Sequence, residues 1–131
     1  MSSSIDFSLS SSTDSKKVIQ FPTSLYDYME YTFLWIESTW VDDITRKGLD
    51  YMGPSIISHD IPKFKEILIS WKNLFSLATE QFDVPIGYDF ETSERYKETL
   101  DKSKTLYLIE SLIVLCDLAI ELDDTITVYG L

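Results

Sequence analysis

Nucleophilic catalysis needs a thiol or hydroxyl beside a base, and a metal site needs several ligands at fixed spacing. The chain offers little of either. It holds one histidine, His59, and one cysteine, Cys116. One histidine cannot build a multi-histidine metal site. Cys116 ends the apolar run Leu112-Ile113-Val114-Leu115-Cys116, a setting that hides a thiol and raises its pKa, so His59 and Cys116 are not expected to act as base and nucleophile. With one cysteine no internal disulfide forms, which fits a reducing compartment. The segment Asp43 to Gly48 echoes a calcium loop, with Asp first and Gly sixth. Thr45 at its third position and Lys47 at its fifth spoil the oxygen cage. The four glycines are scattered, so no phosphate-cradling loop exists. Tyr31-Thr32-Phe33-Leu34 matches a short tyrosine-signalling pattern, but Phe33 falls on the inward face of a predicted helix and the match reads as chance. Paired carboxylates do acid–base work only where a cleft tunes them, and solvated surface acids are the plainer reading. No enzyme activity, catalytic residue, cofactor or metal is expected.

What the chain does carry is negative charge, unevenly distributed. Its 131 residues include 22 acids and 11 bases, a net charge of −11. Residues 18–45 hold Asp27, Glu30, Glu37, Asp42 and Asp43 and no Lys or Arg. Residues 73–94 hold Glu80, Asp83, Asp89, Glu91 and Glu94, again with none. Residues 105–131 hold Glu110, Asp117, Glu121, Asp123 and Asp124, also with none. These three segments contain 15 of the 22 acids, and the rest of the chain contains all 11 bases. Such blocks predict an acidic region and a weakly basic one. Phosphate binding needs Lys and Arg, so direct nucleic-acid binding and an anionic membrane surface are both disfavoured. A basic protein is the partner class the charge favours.

The elements that must present these charges are predicted mostly helical. The length suits one domain, residues 1–131, with a core that needs no staples. Ile5, Phe7 and Leu9 alternate with polar residues, and Ser11-Ser12-Thr13-Asp14-Ser15 supplies turn chemistry before the β-prone run Lys16 to Phe21. Residues 1–21 thus read as a β-hairpin over 4–21, the alternative being a flexible Ser-rich tail. Residues 125–131 could add a strand beside it. Pro22 and Ser24 open a first helix whose inward face is Leu25, Met29, Phe33, Ile36 and Trp40, ending before Gly48. A second helix is predicted from about Asp60, on the seam Ile61, Phe64, Leu68, Trp71, Phe75, Ala78 and Phe82. A third runs from about Thr92 to Leu122, with a bend near Asp101-Lys102-Ser103 and an apolar second half. The fold class expected is mostly α (α+β). It is a compact helical bundle over 22–124 with a central apolar C-terminal helix, plus a small β element from the two terminal segments. Residues 1–15 carry no Lys or Arg and no long apolar run, so they do not read as a secretory signal. The apolar stretch Leu106 to Leu122 is broken by Glu110, Ser111, Asp117 and Glu121, too often for a spanning helix. A soluble, cytoplasmic protein is expected.

Opposite the inward face of the first helix lie Asp27, Tyr31, Leu34, Ser38 and Asp42, with Trp35 at the border. Rigid aromatic anchors within a charged rim suit a protein-binding surface, unless another element covers Tyr31 and Trp35. In size, acidity and architecture the whole chain resembles bacterial toxin-immunity proteins, those of contact-dependent growth inhibition and related polymorphic-toxin systems most of all. No short motif carries the likeness. The resemblance implies an acidic protein that neutralises a basic toxin or effector, such as a nuclease domain, by occluding its active site or substrate groove. Carboxylates there would stand in for phosphates. The candidate partner-binding residues are Asp27, Glu30, Tyr31, Trp35, Glu37, Asp42, Asp43, Glu80, Asp83, Tyr88, Asp89 and Glu91. Two other functions compete. A phage or plasmid DNA mimic would space its acids about 7 Å apart along an elongated surface, like phosphates. A structural or assembly subunit would pack its apolar last helix against another copy.

Overall fold

In a computed structural model, described for residues 3–12, 14 and 17–131, strands outnumber helices. Thr13, Ser15 and Lys16 of the expected N-terminal turn lie outside the described residues. In chain order the elements are β1 (Ser4–Leu9), β2 (Ile19–Pro22), α1 (Thr23–Phe33), β3 (Glu37–Trp40), β4 (Thr45–Lys47), β5 (Pro54–Ile57), α2 (Ile61–Phe75), β6 (Gln81–Asp89), β7 (Glu94–Asp101), α3 (Lys102–Glu121) and β8 (Ile126–Tyr129).

Six strands form one antiparallel sheet in the order β2-β1-β8-β5-β3-β4. The N-terminal alternation becomes β1, whose Ile5, Phe7 and Leu9 are all buried. It pairs with β2 from Ser4↔Pro22 to Phe7↔Ile19 and with β8 from Asp6↔Tyr129 to Leu9↔Ile126. Phe7 meets Phe64 of α2 at 6.1 Å and Phe21 of β2 at 5.4 Å, and Phe33 of α1 meets Phe64 at 5.2 Å. Helices thus cover one face of an antiparallel sheet, the α+β arrangement.

The helical bundle expected from the sequence is therefore wrong: three helices pack on a six-stranded sheet, and the chain is a sheet-rich α+β protein. The first helix stops at Phe33 rather than near Gly48. Residues 37–45 are rich in β-branched and aromatic side chains, which lose little on a pleated surface and much in a helix. Asp43 takes a left-handed φ of 64°, and the Trp40 amide donates to the Ile44 carbonyl, closing the β3–β4 hairpin. The second helix stops at Phe75. Phe82 continues the helical spacing only by coincidence; it reaches Phe75 from β6, with ring centroids 5.4 Å apart. Residues 94–101 form a strand, although Glu, Arg and Lys favour helix. Cross-strand pairing with β6 over Gln81↔Asp101 to Asp89↔Glu94 overrides that preference. The expected bend at Asp101 is a strand-to-helix junction, where the Asp101 carboxylate accepts from the Lys104 amide at 3.0 Å and caps α3.

Nor is α3 the centre of a bundle. Ile109, Leu112, Cys116 and Ala119 are buried, while Tyr107, Val114 and Ile120 face out. Lys65–Asp117 and Lys72–Glu110, each 2.6 Å, tie α2 to α3 at the surface. No helix among the described residues is long and apolar enough to cross a membrane.

Candidate protein-docking site

The site begins with helical spacing on α1. Asp27, Glu30, Tyr31 and Leu34 stand at i, i+3, i+4 and i+7, one stripe of a helix surface. The other side of α1 buries Leu25, Met29 and Phe33, which forces this stripe outward. Tyr31 is 80% exposed, and Trp35, just past the helix end, is 61% exposed. No element among the described residues covers them.

Trp35 and Lys63 border two concavities. On one side an apolar groove of about 360 Å³ runs between α1 and α2, floored by Thr32, Ile67, Trp71 and Leu74. Its geometry is held by a relay: Trp71 Nε1 donates to Thr32 Oγ1 at 2.9 Å, and Thr32 Oγ1 donates to the Met29 carbonyl at 2.7 Å. Tyr28 packs on Trp71 and Phe75 at 5.8 and 6.1 Å, supporting the groove from α1. On the other side a polar cleft of about 560 Å³ is walled by Glu37, Lys47, His59 and Lys63. In it the Asp60 carboxylate accepts from the Glu37 amide at 2.7 Å, joining the start of α2 to β3.

The carboxylates of α1 enter none of the ion pairs found among the described residues. Burial and then the charge of Asp27 raise the Glu30 pKa above its ordinary value. The Tyr51 phenol is pushed up by burial and by its hydrogen bond to Asp27. No cation acts on either group. Charge repulsion is thus held beside exposed aromatics, which a surface kept only for solubility does not require.

The other candidate residues are spread over more of the molecule. Asp42 and Asp43 occupy the β3–β4 turn. Asp42 is bound by both guanidinium nitrogens of Arg46, at 2.9 and 2.7 Å, and these bonds lower its pKa to about 2. Its charge is spent locally, and Arg46 also lies 4.9 Å over the Trp40 ring. Glu37 is exposed on β3, and Glu80 is exposed in the α2–β6 connection. Asp83 accepts from Thr99 Oγ1 at 2.6 Å and lies 3.8 Å from Lys97. Tyr88 and Asp89 lie at the far end of β6 and Glu91 in the turn beyond. The Glu91 amide lowers the Asp89 pKa by donating to it at 2.9 Å. The twelve residues thus fall on α1 and its exit, on the β3–β4 hairpin, and on the β6–β7 ribbon with the connection leading into it.

Sequence reasoning left out Trp71 and Leu74 of the groove and Phe90 of the ribbon. Trp71 sits on the α2 seam, but an indole at the border of a helix's inward arc can serve core and surface together. Cys116 is wholly buried, with its thiol pushed up to about 12 by burial. His59 is exposed, and the two belong to different regions. No group of three or more His, Cys, Asp or Glu among the described residues is placed to hold a metal ion.

No protein-family model matches the chain, and neither a curated protein nor a solved structure shows significant similarity to it.

Proposed function

We infer that this protein is a non-enzymatic inhibitor of the toxin-immunity kind, docking on a basic partner and occluding its active site or substrate groove. The supporting observation is the stripe on α1: Asp27 and Glu30 with no ion-pair partner among the described residues, followed by exposed Tyr31 and by Trp35, exposed at the mouth of an apolar groove. Charge steers the encounter and sets the on-rate, whereas buried aromatics slow dissociation. The groove gives the aromatics a neighbouring apolar surface on which a partner side chain is desolvated.

The test first asks whether the reading frame immediately upstream in the native genome ends in a basic domain, as the reading requires, and uses that domain as probe. Asp27→Lys with Glu30→Lys should slow association about tenfold at low salt and flatten its salt dependence. Tyr31→Ala and Trp35→Ala should each weaken binding about 30-fold, chiefly through dissociation, as expected of anchor residues worth about 2 kcal/mol. Unchanged rates in all these variants would remove α1 as the docking face.

A further inference from the structure

The β6–β7 ribbon is an element the core does not need. Its root is anchored: Val84 is fully buried, Phe82 packs on Phe75, and the Lys102 amide donates to the Glu80 carbonyl at 2.9 Å. Beyond Val84, every residue through Thr99 is exposed except half-buried Asp89. Five residues from Val84 to the last paired position, Asp89↔Glu94, carry the ribbon about 17 Å at roughly 3.3 Å per residue. A two-stranded ribbon is marginal in water by itself, yet this one is braced. Tyr96 lies over Gly87, where an added Cβ would stand 3.4 Å from the ring. The Tyr96 hydroxyl donates to Asp89 at 3.2 Å, and Tyr88 meets Phe90 edge-on at 4.9 Å.

The braced ribbon displays apolar groups in solvent. Phe90 at its tip is 88% exposed, and Ile86 and Tyr96 are each more than half exposed. Around them stand Asp83, Asp89, Glu91, Glu94 and Glu98 against only Arg95 and Lys97. Lys97 is already directed at Asp83, and Glu91, Glu94 and Glu98 enter none of the ion pairs found among the described residues.

We propose that the β6–β7 ribbon is an inserting arm, which seats Phe90 and Tyr88 in a cleft of the basic partner. The proposal rests on the inhibitor reading of α1 and gives it a second contact. A narrow projection fits a concave partner surface. Its acid excess fits a basic one and repels a second copy of this chain. Preorganisation by Tyr96 and Gly87 limits the ordering entropy lost on insertion.

A photo-crosslinking residue placed singly at Tyr31 and at Phe90 of the full chain, expressed in the native host, tests this. Both positions should crosslink the same basic protein, identified by mass spectrometry. That protein, purified, is then titrated with an arm-shortened variant, in which residues 86–96 are replaced by Asn-Gly between the paired Pro85 and Lys97. Phe90→Ala is titrated beside it as a variant that keeps the whole ribbon. Circular dichroism should show both folded, with a melting temperature within about 2 °C of the parent. Affinity should fall about 30-fold or more for each variant. Crosslinking at both positions with unchanged affinity in both variants would overturn the arm and leave the α1 reading standing. Crosslinking from Phe90 to another copy of the chain would also overturn it. Failure at both positions would overturn both readings.

Discussion

At the scale of single residues, the informative groups are those whose surroundings disfavour their charged form. Glu30 ionises against burial and against Asp27. Its raised pKa means that folding favours the protonated acid. That contribution is present below the unfolded glutamate pKa and is lost as pH rises through the folded value. At neutral pH the pair therefore costs stability. Glu30→Gln should raise the unfolding free energy from urea titration slightly at pH 7, by about 0.5 kcal/mol or less, because Glu30 is only partly buried and solvent screens its charge. Asp27→Asn should move the Glu30 carboxyl resonance titration down; an unmoved titration would show that the two charges do not interact. Cys116 follows the same sign, with burial again the main cause. Its thiol is raised from 9.0 to about 12 by burial, so the folded state keeps a proton that the unfolded chain releases. Stability should decline as pH rises from about 9 toward 12. The native thiol should resist a disulfide reagent at pH 8 and react fully in denaturant.

At the scale of elements, the site depends on contacts between segments distant in sequence. Tyr51, which donates to Asp27, belongs to the loop before β5. That loop is held against the end of β8: the Gly130 amide donates to the Gly53 carbonyl at 3.1 Å, and the Leu131 amide to the Tyr51 carbonyl at 2.8 Å. A Cβ on Gly130 would lie 2.2 Å from the Tyr51 carbonyl oxygen, a backbone atom with little room to move. Gly130→Ala should destabilise the fold by about 2 kcal/mol or more in urea unfolding. It should also shift the Tyr51 and Asp27 resonances, since it displaces the loop that joins them. Element identity itself turned on the same kind of contact. The Leu25, Met29 and Phe33 face was legible, and all three residues are buried. Ile36 continued the spacing and is buried too, but from a turn that leads into β3. Helical periodicity cannot separate these cases, because a turn following a helix can also direct its next apolar residue inward.

At the scale of the whole molecule, net charge sets the conditions for association. Of the 22 acids, four enter ion pairs found among the described residues. The acids of α1 and of the β6–β7 ribbon outside these pairs repel one another through solvent, and salt screens that repulsion over about 10 Å at 0.1 M. Raising salt from about 20 to 200 mM should therefore raise the unfolding midpoint while slowing association with a basic partner. Opposite responses to one variable separate the intramolecular from the intermolecular role of the acids. A midpoint indifferent to salt would mean that the carboxylates are already compensated.

The sequence alone determined quantities that do not depend on where the chain folds back. These are the acid excess, the want of nucleophile–base and metal-ligand patterns, the alternation of Ile5, Phe7 and Leu9, and the face of α1 that carries Tyr31. Each is local or additive. The tertiary structure decided what depends on partners far along the chain. It made residues 94–101 a strand by pairing them with β6, and it joined β1 to β8 across more than a hundred residues. It gave the charge of Asp42 to Arg46 while leaving Asp27 and Glu30 outside the ion pairs of the described residues. Strand pairing and charge compensation are pairwise energies between distant residues, and periodicity along one segment carries no record of them.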